Sequence, residues 1–234
     1  MNDSRDFSSL EKKIGLTFSN PVLLKQALTH RSYLNEHKDV SWDHNERLEF
    51  LGDAVLELII TDYLFHHYPA VAEGELTAYR SALVNADLVA EVGVDLDLND
   101  YLFLSRGEAR DTGRARQIIL GNTVEALIGA IYLDQDFKVA QSFVGRYFFR
   151  RVDEIVANNL WQDAKSFFQE QAQAKVNLTP TYQVLNALGP DHNKRFTVGL
   201  YLGSALVATG EGHSKQEAEQ AAARLGLEEK GWKR

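Results

Sequence analysis

The 234-residue sequence contains no cysteine. That excludes disulfides, thiolate metal sites and cysteine nucleophiles, and it fits a reducing compartment. Long apolar runs are also missing. Stretches such as Leu58-Ile59-Ile60 fall far short of the roughly 20 apolar residues that span a bilayer. Met1 to Leu10 is polar and lacks the apolar centre of a secretory signal. The sequence has no internal repeat and no low-complexity tract. No Gly-Lys-Ser/Thr follows Gly107 or Gly113, so there is no phosphate-cradling loop of the Walker type. The expectation is a cytoplasmic chain with no membrane partner.

Positive charge is scarce as well. Lys and Arg number 25 against 33 Asp and Glu, a net of −8. Taken whole, that balance argues against a nucleic-acid partner, but its distribution matters more. Residues 161–234 carry 9 basic and 8 acidic side chains, whereas residues 1–160 carry 16 and 25. The acid is concentrated in the N-terminal part. It is either solvated surface or a holder of divalent cations.

From residue 7 to about 155 the pattern is helical throughout. Asn20-Pro21 is a helix start, with Asn as the cap and Pro in the first turn. Apolar residues recur at helical spacing in Val22–Leu28, Leu48–Ile60, Leu83–Val89, Ile118–Leu133 and Val139–Val152. Residues 157–162 resemble a short linker. After it come a helix from about Asp163 to Lys175 and strand-like runs Tyr182–Asn186, Arg195–Leu202 and Ala205–Thr209. A last helix is capped by Ser214, with Glu217 completing a capping box. The expected fold is multidomain: an all-α domain over 7–156, a linker over 157–162, and a small α+β domain of order α-β-β-β-α over 163–230.

The densest chemistry lies in Asn45–Leu56. At about 100° per residue, Glu46, Glu49 and Asp53 fall within an arc of about 60°. Leu48, Leu51, Val55, Leu58 and Ile59 fall opposite, while Phe50 and Ile60 lie on or beside the acidic face. Gly52 costs about 1 kcal/mol inside a helix, which calls for a close contact. A second helix carries Asn122, Glu125 and Gly129 on one face, with Ala126 beside them, small enough for another helix to approach. Two such helices facing each other would offer hard oxygen ligands to Mg²⁺ or Mn²⁺. That suits phosphodiester hydrolysis, in which the metal activates water and stabilises the leaving oxygen. A merely solvated acidic face remains the alternative on spacing alone.

Asn45–Leu56 resembles the signature stretch of ribonuclease III. Thr29-His30-Arg31-Ser32-Tyr33, Glu73-Gly74-Glu75-Leu76, Gly113-Arg114 and Thr123–Gly129 also sit where that family's segments belong. The resemblance implies a metal-dependent endoribonuclease that cuts double-stranded RNA, leaving a 5′-phosphate, a 3′-hydroxyl and short 3′ overhangs. Its work would be the processing of ribosomal-RNA precursors and structured messages. By resemblance Glu49, Asp53, Asn122 and Glu125 are metal ligands, with Asp53 and Glu125 central to catalysis, and Glu46 and Glu73 are secondary acidic groups. The cofactor is Mg²⁺, for which Mn²⁺ can substitute. Family members are homodimers, and an aromatic at the position of Phe50 inserts into the partner subunit. Asn122 departs from the family's usual aspartate. Three readings stay open: full activity, a slower or more metal-demanding enzyme, and a double-stranded-RNA-binding regulator that barely cuts. The loop arginines Arg106, Arg110, Arg114 and Arg116 are either solvated or in contact with phosphate.

The C-terminal part resembles a double-stranded-RNA-binding domain. The first helix carries Ser166, Gln169, Glu170 and Gln173, which by resemblance reach 2′-hydroxyls and base edges in a minor groove. The loop from Gly189 to Lys194 offers His192 and Lys194 to the next groove. Ser214 and Lys215 open the last helix, whose N-terminus suits phosphate. Such a module reads A-form shape rather than sequence. Where the family often has two lysines this chain has Lys215-Gln216, so one phosphate contact is lost and binding by the module alone should be weak.

Overall fold

The computed structural model describes residues 6–157, 161, 163–189 and 194–232. The chain divides into two compact units, 1–161 and 162–234. The first is helical: α1 (Ser8–Ile14), α2 (Pro21–Ala27), α3 (Arg31–Glu36), α4 (Glu46–His67), α5 (Glu73–Leu83), α6 (Ala86–Asp95), α7 (Arg114–Asp134), α8 (Phe137–Phe148) and α9 (Val152–Ala157). The second runs α10 (Ala164–Val176), β1 (Pro180–Leu188), β2 (Arg195–Leu202), β3 (Ala205–Gly212) and α11 (Lys215–Glu229). This is the expected helical domain followed by an α-β-β-β-α domain.

The helix ends follow the sequence signals. Asn20 Oδ1 accepts the N–H of Val22 (3.1 Å) at the start of α2. Asp163 Oδ1 accepts from Ser166 (2.7 Å) at the start of α10. Ser214 Oγ accepts from Glu217 (3.1 Å), and the Glu217 carboxylate takes the N–H of His213 (2.8 Å), one residue before the cap. Each cap satisfies a donor that the first helical turn leaves open.

Three expectations about the helices need correction. Leu83–Val89 is not one helix: α5 ends at Leu83, and the Asn85 side chain accepts from Leu88 (2.9 Å) to start α6. Val139–Val152 is interrupted by a 3-10 turn at Phe149–Arg151. Within α4 the buried face is rotated from the expected one, so Ile60 is fully buried and Leu58 is exposed. Ala157 is helical, and Trp161 lies edge-on to Tyr79 within the first unit (ring centroids 4.9 Å apart).

α7 occupies the centre of the first unit, with Val124, Leu127, Ile128 and Ile131 all excluded from solvent. It packs against α4 and α6, and Leu56, Ile59 and Ile60 of α4 and Val89 and Val92 of α6 are buried in the same core. No helix among the described residues is long and apolar enough to cross a membrane. In the second unit β1-β2-β3 form an antiparallel sheet in that order, with Val184 opposite Val198 and Val198 opposite Gly210. Phe168 of α10, Leu200 and Leu202 of β2, and Ala222 and Ala223 of α11 form its core.

Candidate active site and RNA-binding face

The start of α4 is fixed from behind. Asn45 is buried, its N–H bonds Thr29 O (2.9 Å), and its Nδ2 donates to Ala27 O (3.3 Å). Its carbonyl accepts from Glu49 N (2.9 Å). The Thr29 hydroxyl in turn donates to Lys25 O (2.6 Å) and accepts from Trp42 Nε1 (3.0 Å). The Asn45 side chain does not cap α4, so these bonds hold the start of the first acidic turn from behind.

Two glycines then let α4 and α7 meet backbone to backbone. A Cβ on Gly52 would lie 1.7 Å from Glu125 O, and one on Gly129 would lie 2.4 Å from Leu48 O. The contact explains the mid-helix glycine. It also brings the two candidate faces together. Asn122 donates a side-chain hydrogen bond to Glu49, and Glu125 lies within electrostatic reach of Asp53 and Glu49. Burial raises the Glu49 carboxyl above its ordinary range, helped by the charges of Glu46 and Asp53 and opposed by the Asn122 bond. Glu125 is pushed up to about 7, first by burial and then by Asp53 and Glu49. Burial is the larger cause in both, and the neighbouring carboxylates add to it.

Not every expected acid joins the cluster. Glu46 pairs with Arg31 (3.5 Å) and faces His44 at the rim. Glu73, in the first turn of α5, accepts from the Thr77 hydroxyl (3.2 Å) and is not among the charges that perturb Glu49 or Glu125. Among the described residues no three His, Cys, Asp or Glu side chains are already gathered as ligands around one point. Glu49 is instead turned toward the Asn122 amide. The facing helices α4 and α7 carry three carboxylates, Glu49, Asp53 and Glu125, and the Asn122 amide, all hard oxygen donors. That composition fits Mg²⁺ or Mn²⁺ and does not suit softer metals.

Phe50 projects from α4 with 82% of its surface exposed. It lines an open groove of about 650 Å³ together with Leu23, Leu48, Leu51 and Leu133 and with the polar Gln26, His44, Glu46 and Arg47. Leu58 and Phe65 continue the exposed apolar stripe along the same helix. The groove was not readable in the sequence, since its walls come from α2, α4 and the end of α7. Arg116 is structural: it donates to Asp111 O (3.2 Å), Glu108 O (2.7 Å) and Asn99 Oδ1 (3.3 Å), closing the loop before α7.

In the second unit Ser166, Gln169, Glu170 and Gln173 are all exposed on one face of α10. Gln173 Nε2 donates to Asn177 Oδ1 (2.5 Å). Lys215 is exposed at the start of α11, and Ser214 is half-buried as its cap. Lys194 stands at the foot of β2, while His192 lies outside the described residues.

The Ribonuclease-III-like family matches residues 20–152, and the double-stranded RNA binding motif matches residues 164–230. The chain belongs to the ribonuclease III family. A Ribonuclease 3 of Carboxydothermus hydrogenoformans is 44% identical over 226 residues, covering 97% of this chain and 96% of the relative. A Ribonuclease 3 of Borreliella afzelii is 43% identical over 220 residues, covering 94% and 89%. Among solved structures, the ribonuclease III nuclease domain from Campylobacter jejuni superposes with a TM-score of 0.56 at 39% identity. That match covers 62% of this chain and 97% of the other. The work describing that structure names a region involved in dimer formation of the nuclease domain.

Proposed function

We propose that this ribonuclease III family member is an endoribonuclease of double-stranded RNA, with catalysis in the helical unit and RNA capture in the second. The observation that carries it is the close crossing of α4 and α7, across which Asn122 bonds Glu49 and the charges of Asp53 and Glu49 act on Glu125. We assign the catalytic domain to residues 7–156, the linker to 157–162 and the RNA-binding domain to 163–230.

Glu49, Asp53 and Glu125, with the Asn122 oxygen, would hold Mg²⁺, for which Mn²⁺ can substitute. Bound there, the ion would supply an activated water and charge stabilisation at the leaving oxygen. Asp53 and Glu125 would fix the position of that charge at the crossing of the two helices. Glu46 and Glu73 are assigned to the rim of the RNA path. The products are 5′-phosphate and 3′-hydroxyl ends with short 3′ overhangs, and the substrates are ribosomal-RNA precursors and structured messages of the cytoplasm.

Cutting both strands needs two sites. The exposed Phe50, in a groove that also holds four leucines, and the exposed Leu58 and Phe65 farther along α4 form an apolar stripe with no cover among the described residues of one chain, which supports a homodimer with Phe50 buried by the second copy. In the second unit Ser166, Gln169, Glu170 and Gln173 form one groove-reading face. His192 and Lys194 are assigned to the next groove, and Ser214 and Lys215 to phosphate. Retention of three acidic groups at one crossing argues against the regulator reading, since a pure binder has no use for them.

The test incubates the purified chain with end-labelled double-stranded RNA at low salt in Mg²⁺, in Mn²⁺ and in chelator. Metal-dependent conversion to short duplexes is expected. Shifted but intact RNA in all three would overturn the assignment.

A further inference from the structure

The geometry points to Gly52 and Gly129 as positioning residues that set the distance between the acidic faces of α4 and α7, and with it the fit of the site to a small divalent cation. This inference rests on the assignment of those faces as the metal site. The contact is reciprocal. A Cβ on Gly52 would meet Glu125 O at 1.7 Å and Glu125 C at 2.6 Å, and one on Gly129 would meet Leu48 O at 2.4 Å and Gly52 N at 3.1 Å. Each glycine therefore presses on the backbone of, or next to, an acidic residue of the other helix: Glu125 in one direction, Glu49 in the other. An ordinary contact of this kind is about 3.4 Å. A methyl at 129 would thus open the crossing by about 1 Å, and one at 52 by more.

Helix backbones carry that opening directly to the carboxylates, since Asp53 follows Gly52 and Glu125 lies one turn before Gly129. Mg²⁺ needs near-octahedral oxygens at about 2.0–2.1 Å and tolerates little spread. Ligand distances must hold to about 0.2 Å. The other glycine of α7 does not share this duty. A Cβ on Gly121 would meet Ala86 O at 3.6 Å, in ordinary contact and on the side facing α6 rather than α4.

The test measures Mn²⁺ binding by calorimetry, without RNA, in the full-length native chain and in Gly129→Ala, Gly121→Ala, Asp53→Glu and the double variant Gly129→Ala/Asp53→Glu. Circular dichroism reports the fold, and Mg²⁺-dependent kcat and KM are read alongside. Gly129→Ala should weaken Mn²⁺ binding at least tenfold and lower kcat about 100-fold, while leaving RNA affinity in chelator unchanged. Gly121→Ala should match the native chain. Asp53→Glu alone should also weaken the metal, because the native spacing fits the shorter acid. In the double variant the longer side chain spans the widened gap, so binding should recover relative to Gly129→Ala. A merely structural glycine would give losses that multiply. Native affinity in Gly129→Ala, or multiplying losses in the double variant, overturns the inference. Should Gly129→Ala fail to fold, native affinity in Asp53→Glu overturns it alone. A native chain that takes up no Mn²⁺ would instead sink the metal-site assignment itself.

Discussion

Glu125→Gln removes a charge that the folded chain holds at a cost when no cation is present. The Glu125 carboxyl rises from 4.5 to about 7 on folding, through burial and the charges of Asp53 and Glu49. Between those two values the folded chain keeps a proton that the unfolded chain has lost. Folding then takes up a proton, so stability falls as pH rises from about 4.5, and the loss is complete above about 7. Each factor of ten in proton affinity is worth about 1.4 kcal/mol, which puts the full effect near 3 kcal/mol. Glu125 keeps an open side to solvent, and screening there brings the expectation to roughly 2 kcal/mol. Glutamine keeps the shape and removes the charge. In chelator, Glu125→Gln should therefore match the native chain at pH 4.5 and exceed it by roughly 2 kcal/mol at pH 8. For a unit of this size that is about 4–8 °C in the melting of the helical part. Thermal melts across that range check it. Native and variant curves that stay parallel with pH would refute the reasoning, because Glu125 would then not be the group that pays for the crossing.

Three further outcomes follow from the same geometry. Asn122→Asp should lower the Mg²⁺ concentration for half-maximal cleavage, and an unchanged requirement would count against a ligand role at position 122. Phe50→Ala should weaken self-association at least 100-fold by sedimentation equilibrium, since truncating an enclosed Phe costs about 3–5 kcal/mol; an unchanged dimer would place the interface elsewhere. Lys215→Ala should lower the slope of log affinity against log salt by about one, without changing preference among duplexes, as measured by filter binding.

Much of this architecture was legible because local chemistry decided it. Asn20, Asp163 and Ser214 cap the helices they precede, and β2 shows its alternation from Phe196 to Leu202. The acidic faces were legible from spacing, and Gly52 announced a close neighbour. What was not legible depended on the partner elements. Asn85 had the chemistry of a cap, but it lies inside an apolar run that periodicity alone joins together. The buried face of α4 is set by where α7 crosses it, and that crossing turns Ile60 inward and Leu58 outward. The groove beside Phe50 draws on α2 and α7, far apart in sequence. Glu73 could be assigned only by resemblance, and within one chain its bond is to Thr77.

The central claim is that the carboxylates at the α4–α7 crossing cut RNA that the second unit captures. Its most direct test compares the native chain with Glu125→Gln on one labelled duplex, measuring affinity in chelator and cleavage in Mg²⁺. The prediction is equal affinity with cleavage reduced at least 100-fold. Cleavage at the native rate in Glu125→Gln would contradict it.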